Sequence, residues 1–180
     1  MSFRYFAYGS NLWPPQLRSR CSSAVPIGPA TLQGWRLTCD KPSTDGSTKM
    51  NIRPDLDSVV EGVVYRIDDG ERHKLDAAEP RYEPTVVTID GRPTLTYTYE
   101  GQPATEPPYD WYAATCSLGA AMLEEVDHEC AGKVVRIAGD FDFVRTTVEG
   151  YGKWREFLWH VQIKLRRIGR VCAEVAKEAQ

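Results

Sequence analysis

Missing from this sequence is any stretch of roughly 18 apolar residues, the length a helix needs to cross a bilayer. Its opening residues also lack a basic segment leading into an apolar one, so neither a membrane span nor a secretory leader is expected, and a cytoplasmic location follows. Excess charge is missing too: 22 Lys and Arg face 25 Asp and Glu, a formal net charge of -3. A chain so balanced has no field to draw it to nucleic acid or to an acidic membrane, and a small molecule is the expected partner. Its five cysteines, Cys21, Cys39, Cys116, Cys130 and Cys172, are odd in number, scattered and without a Cys-x-x-Cys pair, which fits reduced thiols better than a disulfide frame. His128 and Cys130 form the one close His/Cys couple, and without a second a tetrahedral metal site cannot be completed locally. No metal and no cofactor is expected. There is no internal repeat, and 180 residues make one sizeable core but not two comfortable domains.

What is present begins at residues 5 to 15, "YFAYGSNLWPP". Residues 3 to 8 alternate along an aromatic run suited to a pleated strand. Gly9 then permits unusual backbone angles, Ser10 and Asn11 are turn and N-cap residues, and Pro14 and Pro15 suit the first turn of a helix, where no N–H is needed. Strand, polar turn and short helix are expected. Such a turn either aims several backbone N–H groups at an anion or is a turn and nothing more.

Further on, residues 14–21 fit a short helix, 27–39 a strand interrupted by Gly34, and 40–48 a polar loop. "KMNIRP" reads as a short strand, and "SVVEGVVYRID" as a stronger one whose paired valines point to burial on both faces. Asp68 or Asp69 can cap a helix over "GERHKLDAAE", and "PTVVTID" and "PTLTYTYE" flank "GR" as a hairpin. After a proline-rich loop at 101–110, "WYAATCSL" returns to strand character, and 119–131 reads as a helix with Met122, Leu123 and Val126 on one side. From Trp154 onward, Phe157, Leu158, Val161, Leu165, Ile168, Cys172, Val175 and Ala179 recur at helical steps, a long amphipathic helix that packs on its own domain or joins a partner, such as a second copy. The pattern is α+β with a mixed, largely closed sheet, short flanking helices and that terminal helix. Residues 1–139 are taken as the main domain and 140–180 as a C-terminal extension, through which a homodimer is possible.

Three segments resemble the γ-glutamylcyclotransferase-like family. "YFAYGSNL" at 5–12 is close to its Tyr-Gly-Ser-Asn signature. "GVVYRIDDGERHKLDAAE" at 62–79 supplies its Gly-Val-Val strand and then Leu75, Asp76 and Glu79 in the family's Leu-Asp-x-x-Glu order. Pro107, Pro108 and Tyr109 match a proline-rich loop with a tyrosine. The resemblance covers roughly residues 3–130. It departs at Pro80, where many relatives have glycine.

The resemblance implies a barrel-like fold and a reaction in which a γ-glutamyl amide is cleaved by its own α-amine, giving 5-oxoproline and a free amine. Attacker and carbonyl share one molecule, so the protein must mainly fold the substrate, fix its α-carboxylate and stabilise an oxyanion. The amides of Gly9, Ser10 and Asn11 are implied for the fixing, Tyr8, Tyr82 and Tyr109 as hydroxyl donors, and Glu79 as a carboxylate serving first as base and then as acid. Glu83 and Glu61 compete with Glu79 for that role, and a buried tyrosine can equally be core. A module that binds a γ-glutamyl-like small molecule without turnover is the alternative. The leaving group should be read by the loops near 40–50 and 101–110.

Overall fold

The computed structural model describes residues 1–109, 112, 113, 115, 116, 119, 127–130 and 133–136. The terminal amphipathic stripe, the extension at 140–180 and the positions of Met122, Leu123 and Val126 lie outside the described residues.

The chain opens with β1 (Ser2–Ala7), a 3-10 turn at Ser10–Leu12 and α1 (Pro14–Arg20). Two long strands follow, β2 (Val25–Pro42) and β3 (Thr48–Asp68). A 3-10 turn at Asp69–Glu71 leads into α2 (Arg72–Ala78), and β4 (Glu83–Ile89) and β5 (Arg92–Thr98) form a hairpin. Asp90 and Gly91 both have positive φ, 53° and 70°, as a two-residue type I′ turn requires. A separate antiparallel pair joins β6 (Asp127–Cys130) to β7 (Lys133–Arg136).

The main sheet has the order β2-β3-β1-β5-β4, antiparallel except where β1 meets β5. It is not closed, contrary to the sequence expectation: among the described residues β2 pairs only with β3 and β4 only with β5, so two edges remain where a barrel would need them joined. β3 is the central support, carrying β1 on one side through Ser2↔Asp68 to Ala7↔Val63 and β2 on the other. Val60, Val63 and Val64 are buried, as a strand covered on both faces requires. Gly62 lies where β1 passes so closely that a Cβ would run into the Ala7 carbonyl and the Phe6 ring.

Several local expectations change. The interruption expected at Gly34 takes the form of a register slip between Gln33 and Trp35, after which pairing resumes. The two strands read at 49–54 and 58–68 are one, because pairing passes from Trp35↔Pro54 to Gln33↔Val59 around an unpaired excursion at 55–58. The loop read at 40–48 shrinks to 43–47, since β2 keeps pairing with β3 to Pro42↔Thr48. Residues 112, 113, 115 and 116 are helical, not extended: Tyr112 and Ala113 both donate to the Tyr109 carbonyl, at 3.0 and 3.1 Å, and Tyr112 and Cys116, four apart, are both buried. The helix read at 119–131 does not reach its end, because residues 127–130 pair as a strand with 133–136. No helix among the described residues is long and apolar enough to cross a membrane.

Candidate active site

β1 delivers the chain into the turn at Gly9 from the middle of the sheet. Leu12 N–H donates to Gly9 O at 2.9 Å and Trp13 N–H to Ser10 O at 3.1 Å. A short helix gives its first amides no carbonyl one turn back, so those of Ser10 and Asn11 are left over by the turn itself. Tyr65 pins the turn from β3, its hydroxyl donating to Leu12 O at 3.1 Å. Neither Ser10 nor Asn11 acts as a side-chain cap: the N-cap positions are Gly9 for the 3-10 turn and Trp13 for α1. The Asn11 side chain is committed elsewhere.

That commitment is to Glu79. Asn11 Nδ2 donates to Glu79 Oε1 at 2.8 Å and to the Tyr5 hydroxyl at 2.8 Å. Arg20 Nη1, from the last turn of α1, donates to the same Oε1 and to Asn11 Oδ1, each at 2.8 Å. Two residues from two elements, the 3-10 turn and α1, therefore lock one carboxylate oxygen, while Oε2 takes no hydrogen bond among the described residues. The Glu79 side chain is 15% exposed. Burial pushes its pKa up, against the opposing pull of Arg20, the Asn11 hydrogen bond and the Lys41 charge.

Glu79 follows α2 as its C-cap, with φ -116° and ψ 57°. Pro80 comes next, then Arg81 at φ 67°, and Tyr82 N–H closes the turn onto Glu79 O at 3.2 Å. Proline followed by a left-handed residue is the type II pattern. The departure at Pro80 thus supplies the bend that brings Tyr82 back beside the glutamate.

An open cleft of about 300 Å³ is lined by Tyr5, Tyr8, Gly9, Ser10, Asn11, Met50, Glu79, Tyr82, Tyr97 and Tyr112. Burial raises the pKa of Tyr5, Tyr8, Tyr82 and Tyr112 well above the ordinary tyrosine value, so these rings are neutral at any physiological pH. Tyr8 donates to Tyr97 O, Tyr82 to Met50 O, and the Tyr112 hydroxyl accepts from Met50 N–H at 3.0 Å. Six of the residues expected from the sequence, Tyr8, Gly9, Ser10, Asn11, Glu79 and Tyr82, meet at this cleft.

Tyr109 does not line it. It is 39% exposed, and its hydroxyl donates to Asp45 O at 2.7 Å, which ties it to the 43–47 loop. Tyr112, one helical turn on, takes the place at the cleft. The competing carboxylates are elsewhere as well: Glu61 is buried between strands and accepts from Thr31 Oγ1 at 2.8 Å, and Glu83 is exposed at the start of β4. Sequence reasoning missed Arg20, Tyr97 and Tyr112. Tyr5 and Met50, which also line the cleft, were missed as well; Tyr5 sits in the aromatic run of β1, where Tyr5, Phe6 and Ala7 are all buried.

The family model described as gamma-glutamyl cyclotransferase, AIG2-like, matches residues 5–114. The solved structure of a protein named gamma-glutamyl cyclotransferase is 22% identical with a TM-score of 0.61, covering 83% of this chain and 99% of that one. An uncharacterised protein from Homo sapiens gives 21% identity and a TM-score of 0.61 over the same shares. YkqA from Bacillus subtilis is 26% identical over 67% of this chain and 49% of its own, with a TM-score of 0.54. At 21 and 22% identity the first two likenesses speak for the fold alone. No curated protein matches the chain significantly.

Proposed function

The chain belongs to the gamma-glutamyl cyclotransferase, AIG2-like family, and from that premise we propose that it cyclises a γ-glutamyl amide to 5-oxoproline and releases the free amine or amino acid. One observation carries the reading: Glu79 is held at Oε1 by Asn11 and Arg20, with no hydrogen bond to Oε2 among the described residues, in the cleft that the Gly9–Asn11 turn also lines.

In this mechanism the amides of the turn receive the substrate's α-carboxylate. Oε2 of Glu79 takes a proton from the α-ammonium, and the freed amine attacks the γ-carbonyl. A carbon–nitrogen bond forms within the substrate as the carbonyl electrons move onto oxygen; when they return, the bond to the leaving nitrogen breaks as Glu79 hands it the first proton, and the second proton, shed by the attacking nitrogen as it becomes the ring amide, passes to the departing amine, which leaves as an ammonium. Water, an enzyme nucleophile and an external oxidant are all unnecessary, and atoms balance as one amide exchanged for another. The neutral tyrosines supply walls and hydroxyl dipoles that keep solvent from competing, which strengthens every charge interaction inside.

The Arg20–Glu79 ion pair at 2.8 Å favours a second reading. A carboxylate neutralised by a guanidinium is a weaker base, as a module that only binds γ-glutamyl-like molecules would tolerate. Incubating the protein with a panel of γ-glutamyl amides and assaying 5-oxoproline separates the two. The enzyme reading expects product from at least one amide; binding of the panel with no product from any member would leave the module.

A further inference from the structure

A second cation near Glu79 is more deeply buried than the half-buried Arg20 and is held differently. Cys39 pairs with Met50 and Lys41 with Lys49, so Asp40 is an extra residue in β2, a bulge of the kind that re-aims a neighbouring side chain. Lys41 is 5% exposed, and its ammonium lies 4.3 Å from the centre of the Tyr82 ring, which lines the cleft. Among the described residues nothing accepts a hydrogen bond from it.

Apart from Glu79 Oε2, the nearby acceptors among the described residues are taken. Asp40 receives Arg53 at 2.6 Å and Asn51 and Thr38 at 3.0 Å, Asp45 receives Lys49 at 2.9 Å, and Glu79 Oε1 receives Arg20 and Asn11. A buried ammonium without an acceptor is costly, and two lysines directly opposite across a strand pair repel. The face of Tyr82 offsets part of that cost. Burial lowers the Lys41 pKa, Glu79 opposes that, and Arg81 and Lys49 add to it. An incoming anion would relieve all of these.

On the reading above, the substrate's ammonium is met by Glu79 and its α-carboxylate by the Gly9–Asn11 turn. Neither of these needs Lys41. We propose that Lys41 is a specificity-determining residue that receives a carboxylate on the leaving amine, so that the protein selects γ-glutamyl amino acids or peptides over γ-glutamyl derivatives of uncharged amines. The inference rests on the proposed function for its substrate and places the discriminating charge at the end of β2, beside the 43–47 loop. The four-carbon stem lets the ammonium leave the ring face for a carboxylate without moving the backbone.

The test uses two ligands that differ only by the carboxylate, γ-glutamyl-alanine and γ-glutamyl ethylamide. Turnover is measured in the wild type, Lys41→Met and Lys41→Arg, and binding by calorimetry in Glu79→Gln with and without Lys41→Met. The wild type should prefer γ-glutamyl-alanine by roughly 10- to 100-fold in kcat/KM, the worth of a hydrogen bond to a charged group. Lys41→Met should remove most of that preference through KM, and Lys41→Arg should restore part of it. Methionine replaces an unpaired ammonium with an apolar chain of similar length, so the variant should keep its Tm. Equal handling of the two ligands, or parallel loss on both in Lys41→Met, overturns the assignment while product formation keeps the proposed function. Absence of product with a Lys41-dependent binding preference keeps the assignment and overturns catalysis. No binding and no product overturns both.

Discussion

The two cations near Glu79, half-buried Arg20 and buried Lys41, are held in opposite ways. On the α1 side, Arg20, Asn11, Tyr5 and Glu79 close a network in which Arg20 Nη1 and the Asn11 amide reach their acceptors at 2.8 Å. On the β2–β3 side, Lys41 has an aromatic face and no hydrogen-bond acceptor among the described residues. A closed network fixes one geometry and suits a group that must always stand in the same place. An open cation holds its site for something that arrives. On the proposed reading, the difference separates the residues that serve chemistry from the one that serves recognition.

The hardest blow to the closed side is Glu79→Gln. It keeps size and hydrogen-bonding capacity but ends proton transfer, and should lower kcat by about 10²- to 10⁴-fold, about 3 to 5 kcal/mol of barrier, while substrate still binds. Normal turnover in this variant, with loss instead in Glu83→Gln or Glu61→Gln, would move the base to another carboxylate. Gly62→Ala strikes the support beneath the network, since its methyl group meets the Ala7 carbonyl and the Phe6 ring. Overpacking of this kind costs about 1 to 3 kcal/mol, visible in a denaturant titration. Unchanged stability there would mean that β1 and β3 can move apart freely.

Arg20→Met sharpens the comparison by making the closed side resemble the open one. Arg20 holds the Glu79 pKa down against burial, so its removal lets that pKa rise further. A base works only when deprotonated, and the acid limb of the kcat/KM profile should therefore move to higher pH. An acid limb shifted to lower pH would show that the pair acts otherwise. The smallest effect is expected at Tyr109→Phe, outside the cleft, where loss of the bond to Asp45 O should change stability by about 0.5 kcal/mol or less. Tyr82→Phe, which loses its bond to Met50 O inside the cleft, should cost more in activity than Tyr109→Phe.

Legibility followed the range of the interactions. The alternation in β1, the Gly-Ser-Asn turn, α1, α2 and the β4–β5 hairpin are set by neighbours within a few residues, and each was readable from them. The failures were non-local. "WYAATCSL" has strand composition, yet Tyr112 and Cys116 reach the core from one face of a helix. Pro54 and Gly34 look like strand breaks, yet β2 and β3 pair past both because pairing resumes in a shifted register beyond the 55–58 excursion. Closure was expected from strand count, mixed connections and the family resemblance, and none of these says which edges meet.

By itself, the sequence determined the local devices: an aromatic strand leading into a polar turn that prolines convert to a helix, a glutamate at the end of a short helix, and a proline after it that sets the next bend. Only the tertiary structure decided what those devices face. Arg20 and Asn11 lie 59 and 68 residues from Glu79 in sequence yet meet at one of its oxygens. Lys41 is separated from Tyr82 by the whole of β3, α2 and the turn between them, yet covers its ring. Such pairings depend on how strands order in the sheet and which side chains lose water together, and no spacing of letters encodes that desolvation.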